Sequence, residues 1–406
     1  MSQANSSPLE HRAIRGSVWT LAGYGLSQVF RLGGNLVLTR LLTPEAFGLM
    51  ALVQTFLIGL QMFSDFGILP NIIQSERGED PKFLNTAWTI QAIRGGVLWL
   101  GACLLAWPVA QFYREPMLMQ LLPIAGLTVL LTGFNSTKLA TANRRLAMRQ
   151  LTLLELITNL VALLVMIGLA LLYRSVWALV IGSLIGSLLK LLASHRLSGE
   201  SNRFAWDDQA AAEIRKFGRW IFLSTIVGFF ALQSDRLVLG RLLDVGFLGV
   251  YTIALTLSGV VEQVVDQVNS KVLFPTYAEL IRERPTALYH SLRRARSILL
   301  GLSCGCAILF VLAGQPLIDL LYDQRYAQAG WMLRVLSIGF LGRVLCITYG
   351  DVLMARGLTF QVMALTIIHT LFQFGAMLIG YAFGGYIGVI VGLAVTDWLS
   401  YIAYSV

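Results

Sequence analysis

A stripe of polar side chains runs through an otherwise apolar segment near the start of the chain. Its members are Ser17, Tyr24, Gln28, Arg31 and Asn35. Steps of three, four and seven residues place all of them on one face of a helix. An ionised side chain near the centre of a bilayer costs roughly 2.5–3.5 kcal/mol or more, so it usually faces protein or water. Arg31 lies about 14 Å from the outer end of this helix, near mid-membrane.

The chemistry that Arg31 offers is the binding of an anion. A guanidinium donates several parallel hydrogen bonds, a geometry that suits a phosphate or carboxylate group. Arg31, with Gln28 and Asn35 on the same face, is therefore the first candidate for contact with an anionic substrate. Pairing of Arg31 with an internal carboxylate for helix packing is the alternative. Arg94 and Arg343 also lie within apolar segments and are second candidates for lining a substrate cavity.

Acidic side chains in apolar segments are candidates for gating or ion coupling. Asp65 and Asp266 occupy equivalent positions 201 residues apart, and Glu262 lies one helical turn before Asp266. Paired acids could bind a cation or share a proton. They could equally close an inner gate through ion pairs with Arg77 or Lys271, and this interpretation is the simpler one.

A histidine and an aspartate near the middle of the last two apolar segments extend the set. His369 could take part in a proton relay together with Asp397, because histidine titrates near neutral pH. A hydrogen bond between helices is the commoner use of such a histidine. The four cysteines lie in apolar segments, which indicates small core residues rather than disulfides or metal ligands. The sequence predicts no metal site and no cofactor beyond a coupling proton or sodium ion.

The elements that must position these residues are membrane helices. The chain of 406 residues is 56% hydrophobic and 13% charged, against roughly 25% charged residues in a soluble domain. Its apolar runs of about 20 residues match the length that crosses a bilayer. The sequence predicts an all-α polytopic membrane protein with twelve spans. They lie near 17–39, 47–69, 87–109, 118–137, 151–172, 175–194, 217–239, 247–268, 296–314, 329–352, 359–379 and 386–406.

The distribution of basic residues predicts the orientation in the membrane. With the N-terminus inside, inward segments hold 20 of the 31 lysines and arginines and outward loops hold 5. Basic residues are retained on the cytoplasmic side, so both termini are expected to be cytoplasmic. The net charge of +9 then reflects topology, and no soluble basic face with aromatic readers indicates nucleic-acid binding.

An internal repeat predicts two similar halves. RLLTPEAFGLM at 40–50 and RLLDVGFLGVY at 241–251 share an offset of 201, and seven of fifteen positions from 36–50 against 237–251 are identical. Six spans in each half return the chain to its starting side, which predicts lobes at 1–200 and 201–406 in a parallel repeat. Such repeats commonly place a transport site at their interface. A duplicated membrane scaffold without transport is the alternative.

One inward segment, Asn269 to Arg294, has the pattern of an amphipathic surface helix. Its apolar positions include Tyr277 and Leu288, among several arginines. Such a helix would lie on the inner leaflet and link the halves. A charged, solvated linker is an equal alternative.

Several blocks of the sequence resemble the bacterial polysaccharide transporters, the oligosaccharide flippases of the multidrug/oligosaccharidyl-lipid/polysaccharide superfamily. These blocks are TRLLTPEAFGLMALV, FSDFGILPNIIQSE, LFPTYAELIRERP and LLYDQRYAQAGWMLRVLSI. The likeness runs from about Gly16 to Gly357. Many relatives continue for two further spans, so the C-terminus of this sequence is expected to be naturally short or truncated.

The resemblance implies two six-helix lobes around a central cavity. It implies movement of an undecaprenyl-pyrophosphate-linked oligosaccharide from the inner to the outer leaflet of the bacterial inner membrane, driven by an ion gradient or membrane potential. A polysaccharide polymerase or export complex is the expected partner. The sequence itself has no GxxxxGK[ST] motif, so it predicts no P-loop motor.

Three alternatives to a flippase remain at this stage. A multidrug or small-cation exporter of the same superfamily would favour acidic residues in its spans, whereas Arg31, Arg94 and Arg343 place guanidinium groups there. A membrane-embedded glycan polymerase or ligase would be an enzyme with a large outward loop, and the outward loops here are short. A scaffold that transports nothing is the third.

Overall fold

Helices form all the regular structure that the computed structural model describes. It describes residues 8–65, 67–268, 285–355 and 358–405. Over these residues there is no strand, and the helices are α1 (Pro8–Leu41), α2 (Pro44–Met62), α3 (Ile68–Gln74), α4 (Pro81–Tyr113), α5 (Leu118–Gly133), α6 (Lys138–Arg144), α7 (Met148–Tyr173), α8 (Trp177–Arg196), α9 (Asp208–Leu242), α10 (Val245–Val268), α11 (Pro285–Leu321), α12 (Ala329–Ala355) and α13 (Thr359–Ser405), with a 3₁₀ turn at Gln324–Tyr326.

The helices include enough long apolar ones for a polytopic membrane protein. Within the described residues, seven are long and apolar enough to cross a membrane, and α5 with α6, bent by 56°, would make an eighth. One of the seven, α13, holds two of the predicted spans. The prediction of an all-helical polytopic protein is confirmed, with twelve as an approximate number of spans. Most of the predicted surface helix at Asn269 to Arg294 lies outside the described residues.

Two predicted spans are interrupted, which the hydropathy pattern does not show. The span predicted at 47–69 breaks between α2 and α3, where Gly67 adopts a left-handed conformation with φ 61°. The Asp65 carboxylate accepts a hydrogen bond from the Gly67 amide at 2.9 Å, which stabilises the turn. The span predicted at 118–137 breaks at 134–137, between α5 and α6. Hydropathy averages over a window, so breaks of four or five residues do not appear in it.

The chain divides into two compact units. Unit 1 comprises residues 1–43 and 53–226, and unit 2 comprises residues 44–52 and 227–406. In unit 1, α1 packs on α7, α7 on α8, α8 on α5 and α5 on α4. α4 and α5 approach each other closely at Gly95 and Gly133, where a Cβ on either glycine would meet the other backbone. Small residues of this kind allow close helix packing in membranes.

In unit 2, α12 packs against α10, α11 and α13. α13 doubles back at Gly385, whose φ of 56° and ψ of −136° are not helical. Gly380 and Gly388 then face each other across the hairpin, and Gly392 lies against the carbonyl oxygen of Ala376. The glycine pair at 384–385 therefore separates the two last predicted spans, because only glycine adopts such a conformation without strain.

The repeated sequence stretches meet inside unit 2. A Cβ on Gly48 would strike the carbonyl oxygen of Val245, and a Cβ on Gly249 would strike the carbonyl oxygen of Pro44. The offset of 201 relates Gly48 to Gly249 and Pro44 to Val245, so the two contacts are reciprocal. The first turns of α2 and α10 thus cross backbone to backbone, through the glycines that the repeat shares.

Candidate functional site

The polar stripe of α1 lies beside the face that packs against α7. That packing face carries Gly23 and Gly34, where a Cβ would meet the side chains of Thr152 and Leu163 of α7. The side chain of Arg31 is exposed. The stripe on α1 therefore lies between two other faces of that helix. One contacts α7, and the other carries exposed apolar residues.

Within the stripe, polar side chains contact one another. Gln28 donates a hydrogen bond from Nε2 to the hydroxyl of Tyr24 at 2.6 Å. Arg31 lies one turn further along the same face, and Asn35 follows it, half-buried. The backbone carbonyl of Asn35 accepts a hydrogen bond from Thr39, which leaves its side-chain amide outside that bond. The stripe thus presents a guanidinium between two amides, and its contact with a substrate stays a prediction.

Arg94 of α4 caps the C-terminus of α2. Its Nη2 donates to the carbonyl oxygen of Gln61 at 2.7 Å, and its Nε donates to the hydroxyl of Ser64 at 2.9 Å. Helices end with carbonyls that have no partner in the helix, and in a membrane these groups need a donor from another element. A cation also interacts favourably with the negative end of the helix dipole. The guanidinium therefore stabilises the break at which Asp65 forms its turn.

Other side chains of α4 serve the second helix break in the same way. Trp88 donates from Nε1 to the carbonyl oxygen of Phe134 at 3.2 Å. Gln91 donates from Nε2 to the carbonyl oxygen of Thr132 at 3.1 Å. One helix thus supplies the donors for the ends of both α2 and α5. The role of Arg94 in substrate contact stays a prediction, and any such contact would compete with its capping of α2.

Replacement of Arg94 by leucine is expected to lower the thermal stability of the protein. The change removes two charge-assisted hydrogen bonds to the end of α2, each of about 1.5–3 kcal/mol. Thermal unfolding in detergent measures the effect. Arg94→Lys should recover part of the stability, because an ammonium can reach one acceptor. Equal stability of Arg94→Leu and the unchanged protein would contradict the capping role.

Unit 2 contains a cluster of three charged side chains from three helices. Arg343 of α12 donates from Nη1 to both carboxylate oxygens of Glu262, at 3.0 and 3.2 Å. Its Nε and Nη2 donate to the two carboxylate oxygens of Asp397, at 3.1 and 3.2 Å. The guanidinium is thus held on both sides by bidentate acceptors. The cluster joins α10, α12 and α13.

The cluster places Arg343 with two of the predicted coupling residues. The two carboxylates carry one more negative charge than the guanidinium neutralises when all three groups are ionised. The side chain of Asp397 is 6% exposed. Such a cluster can accept one proton or one monovalent cation, because either would remove the excess charge.

His369 lies on α13 and contacts the returning half of that helix. Its Nδ1 lies 2.8 Å from the hydroxyl oxygen of Ser400. That hydroxyl donates its proton to the carbonyl oxygen of Thr396 at 2.8 Å. Ser400 has one proton, so Nδ1 of His369 is the donor in this contact and Nε2 keeps the lone pair. Participation of His369 in a proton relay stays a prediction.

Arg77, one of the cations predicted to close the inner gate, forms its ion pairs with acids other than Asp65. Arg77 binds Asp80 and Asp207, at 2.9 and 3.1 Å, rather than Asp65. Lys271 lies outside the described residues, as does the side chain of Asp266. Among the described residues, the acid at 65 therefore acts in the turn between α2 and α3, and the gate interpretation rests on residues that the structure does not describe.

Comparison with known protein families identifies the family of this chain. The family model described as "Polysaccharide biosynthesis protein" matches residues 37–331 of the chain. This match spans most of unit 1 and continues into unit 2 as far as the start of α12. The chain belongs to this family.

Curated relatives and solved structures agree with membership of the polysaccharide biosynthesis protein family. The succinoglycan biosynthesis transport protein ExoT of Rhizobium meliloti is 23% identical and aligns with 91% of this chain and 74% of its own length. The lipopolysaccharide biosynthesis protein WzxC of Escherichia coli is 22% identical over 95% of this chain and 78% of its own length.

The solved structures show the fold of the superfamily. The lipid II flippase MurJ in an inward closed conformation has a TM-score of 0.76 at 14% identity, over 96% of this chain and 86% of its own. An inward-facing multidrug resistance MATE family transporter has a TM-score of 0.73 at 13% identity, over 93% and 92%. These similarities confirm the predicted fold. The family match and the curated relatives confirm the resemblance to the polysaccharide transporters.

Sequence reasoning missed one buried pair in unit 2 of this family member. Tyr251 donates its hydroxyl to the Asp235 carboxylate at 2.6 Å, and both residues are buried. The other carboxylate oxygen of Asp235 has no partner among the described residues. The neighbouring Arg236 binds Gln233 instead. Asp235 and Tyr251 lie on different helices, so helical periodicity does not reveal their pairing.

Proposed function

We propose that the protein is a flippase that moves an undecaprenyl-pyrophosphate-linked oligosaccharide from the inner to the outer leaflet of the bacterial inner membrane. The observation that carries this proposal is the family match over residues 37–331, joined by relatives named for succinoglycan transport and lipopolysaccharide biosynthesis. The repeat unit of an exopolysaccharide, capsule or O-antigen is the substrate class. The reaction breaks no covalent bond, so the protein is a transporter and not an enzyme.

The polar stripe of α1 is the proposed contact for the pyrophosphate. Arg31 offers a guanidinium in mid-membrane, with Gln28 and Asn35 as neutral donors on either side. A pyrophosphate has several oxygens that can accept parallel hydrogen bonds from such a set. Arg94 is a weaker candidate because two of its donors already cap α2. Arg343 is weaker still, because carboxylates surround it.

The three-charge cluster of unit 2 is the proposed site of ion coupling. One proton or one sodium ion would neutralise the excess charge of Glu262 and Asp397 beside Arg343. Asp65, Asp266 and His369 remain further candidates for gating or coupling. We also propose a cytoplasmic N-terminus and C-terminus from the basic residues, lobes near 1–200 and 201–406, and a polymerase or export complex that consumes the flipped units.

Replacement of Arg31 by alanine is expected to abolish glycan export without loss of membrane insertion. The change removes the guanidinium of the stripe and leaves the apolar surface of α1 intact. Complementation of a deletion strain measures export, and protein level in the membrane measures insertion. Arg196→Ala is a matched control, since Arg196 is an exposed arginine at the end of α8. Full export by Arg31→Ala would refute the pyrophosphate contact.

Deletion of the gene followed by analysis of lipid-linked glycans tests the function itself. Complete repeat units confined to the inner leaflet would support a flippase. Single units already exported but not polymerised would indicate a glycan polymerase instead. A multidrug exporter remains the second candidate because a MATE transporter shares the fold, and normal glycan export with altered resistance to organic cations would favour it.

A further inference from the structure

We infer that residues 202–214, which connect α8 to the rest of α9, form a bound arm rather than a flexible tether. The arm and its partner surface, on α3, α4 and α6, all lie within unit 1. This surface holds the arm by noncovalent contacts, which are sufficient even when the chain between the two repeats is cut. The inference rests on the contacts of the arm alone and does not depend on the proposed function.

Backbone groups of the arm bind a row of polar side chains on α4. The Arg203 amide donates to Oδ1 of Asn85 at 2.9 Å. The Ala205 amide and carbonyl both bind the hydroxyl of Thr89, at 3.1 and 3.0 Å.

The row continues at the Asp207 amide, which donates to the hydroxyl of Thr86 at 3.0 Å. Alternate residues of the arm thus face α4, as in the addition of an extended peptide to a binding surface. Phe204, which lies between these residues, also packs against α4: its ring centroid is 4.7 Å from that of Trp88, with the two ring planes tilted by 55°.

The beginning of the arm supplies hydrogen-bond partners for polar groups at the break between α5 and α6. Oδ1 of Asn202 accepts hydrogen bonds from the Ser136 hydroxyl at 2.5 Å and from the Thr137 amide at 3.1 Å. Its Nδ2 donates to the hydroxyl of Thr137 at 2.6 Å. Groups left unpaired at a helix break in the membrane need such partners. The arm therefore completes the fold of unit 1 at this point.

Charged groups hold the middle of the arm. Oδ2 of Asp207 accepts a hydrogen bond from Arg77 at 3.1 Å, and Glu213 accepts one from the Ser75 hydroxyl at 2.7 Å. Arg77 also binds Asp80, and its hydrogen bonds lower the pKa of both aspartates. The contribution of these ion pairs is therefore complete above the unfolded pKa of about 3.9. It is lost only as the pH falls through the lower native pKa.

The end of the arm is anchored by apolar burial. Ala210 and Ile214, in the first turns of α9, are 0% and 1% exposed. They join one cluster with residues of α3, α4 and α6, namely Ile68, Ile72, Phe83, Leu84, Ala87 and Ala140. Burial of a side chain as large as isoleucine is among the strongest contributions to such an interface. Hydrogen bonds, ion pairs and apolar burial thus act along the full length of the arm.

The chain just before the arm is exposed. Ser198, Gly199 and Glu200 are all exposed, and Gly199 has φ 142°, a conformation that favours glycine. Exposed turns of this type are the segments at which cleavage and insertion are tolerated. A cut at this turn removes the covalent connection and leaves every contact of the arm in place.

The test is cleavage of the intact, folded protein at this turn. A recognition sequence for a specific protease is inserted between Gly199 and Glu200 in the full chain, with an affinity tag at the N-terminus. The protein is purified in nanodiscs, cleaved to completion, transferred to detergent and captured by its tag. We expect the C-terminal fragment to stay bound to the captured N-terminal fragment. The crossing of α2 and α10 also joins the two fragments, so variants of the α4 surface measure the contribution of the arm. Separation of the two fragments of the otherwise unchanged protein would overturn the proposal.

A variant that lacks the α4 acceptors shows whether the arm is responsible. Asn85→Ala, Thr86→Val and Thr89→Val together remove the partners of three arm amides. At roughly fivefold for each hydrogen bond, association of the fragments should weaken about a hundredfold.

Thr132→Val is the matched control, because among the described residues the Thr132 hydroxyl binds the carbonyl oxygen of Thr128 in its own helix and no group of the arm. Retention by the triple variant as strong as by the control would also overturn the proposal. Asp207→Asn with Glu213→Gln is a milder second variant, should the triple variant not fold. Its fragments should separate at lower detergent concentration than those of the control, and equal retention counts against the arm.

Discussion

Replacement of Arg343 by glutamine should lower the free energy of unfolding by about 3 kcal/mol, since removal of one partner from a buried ion pair typically costs about 3–5 kcal/mol. The guanidinium binds Glu262 and Asp397 through four hydrogen bonds of 3.0 to 3.2 Å. Without it, the carboxylate of Asp397, whose side chain is 6% exposed, faces that of Glu262 with no cation between them. We therefore expect a lower temperature of thermal unfolding in detergent and little protein in the membrane.

The triple variant Glu262→Gln, Arg343→Gln and Asp397→Asn separates charge balance from packing. It keeps the shapes of the two acidic side chains, shortens the side chain at 343 and removes all three charges, so that no carboxylate is left without a partner cation. We expect its thermal stability to lie near that of the unchanged protein, whereas its dependence on an ion gradient should disappear. Arg325→Gln is a control, because Arg325 pairs with Asp323 on the surface, where such pairs contribute at most about 1 kcal/mol. A stable Arg343→Gln protein would contradict the expected cost of unpaired carboxylates.

The class of the fold was predictable because it depends on averages over many residues. Apolar runs of about 20 residues determine membrane helices whatever the order of residues within them. The breaks at 63–67 and 134–137 were not predictable in this way. They depend on a few groups, such as the Asp65 carboxylate and Gly67, and on donors from α4 that lie about 30 to 45 residues away in the sequence.

The candidate site, too, was only partly predictable from the sequence. Arg31 and its neighbours share one helix, so their common face follows from helical periodicity alone. Arg343 looked like a lone cation because its partners Glu262 and Asp397 lie 81 and 54 residues away. Contacts between helices decide whether an arginine is paired, and a single sequence does not reveal them. The same holds for Tyr251 and Asp235, which are 16 residues apart on two helices.

The glycine crossing of α2 and α10 is expected to tolerate no side chain. A Cβ on Gly48 would strike the carbonyl oxygen of Val245, and one on Gly249 would strike that of Pro44. The neighbour in each case is backbone, which cannot turn aside as a flexible side chain can. Gly48→Ala and Gly249→Ala should therefore each lower the free energy of unfolding by about 1–3 kcal/mol, the usual cost of overpacking. Thermal unfolding in detergent measures this cost.

Because the repeat relates Gly48 to Gly249, the single variants can be compared with each other and with the double variant. The two contacts are reciprocal and belong to one crossing, so the two single variants should have similar effects. Once the first alanine has separated the helices, the second meets less resistance. The double variant should therefore cost clearly less than the sum of the single ones.

Gly33→Ala and Gly96→Ala are matched controls, because a Cβ at either position meets nothing within 4 Å. Both should be neutral or slightly stabilising, since alanine favours a helix by about 1 kcal/mol over glycine. Strict additivity of the Gly48 and Gly249 variants would show that the two contacts are independent. In that case the reciprocal crossing of the repeated stretches would not act as one structural unit.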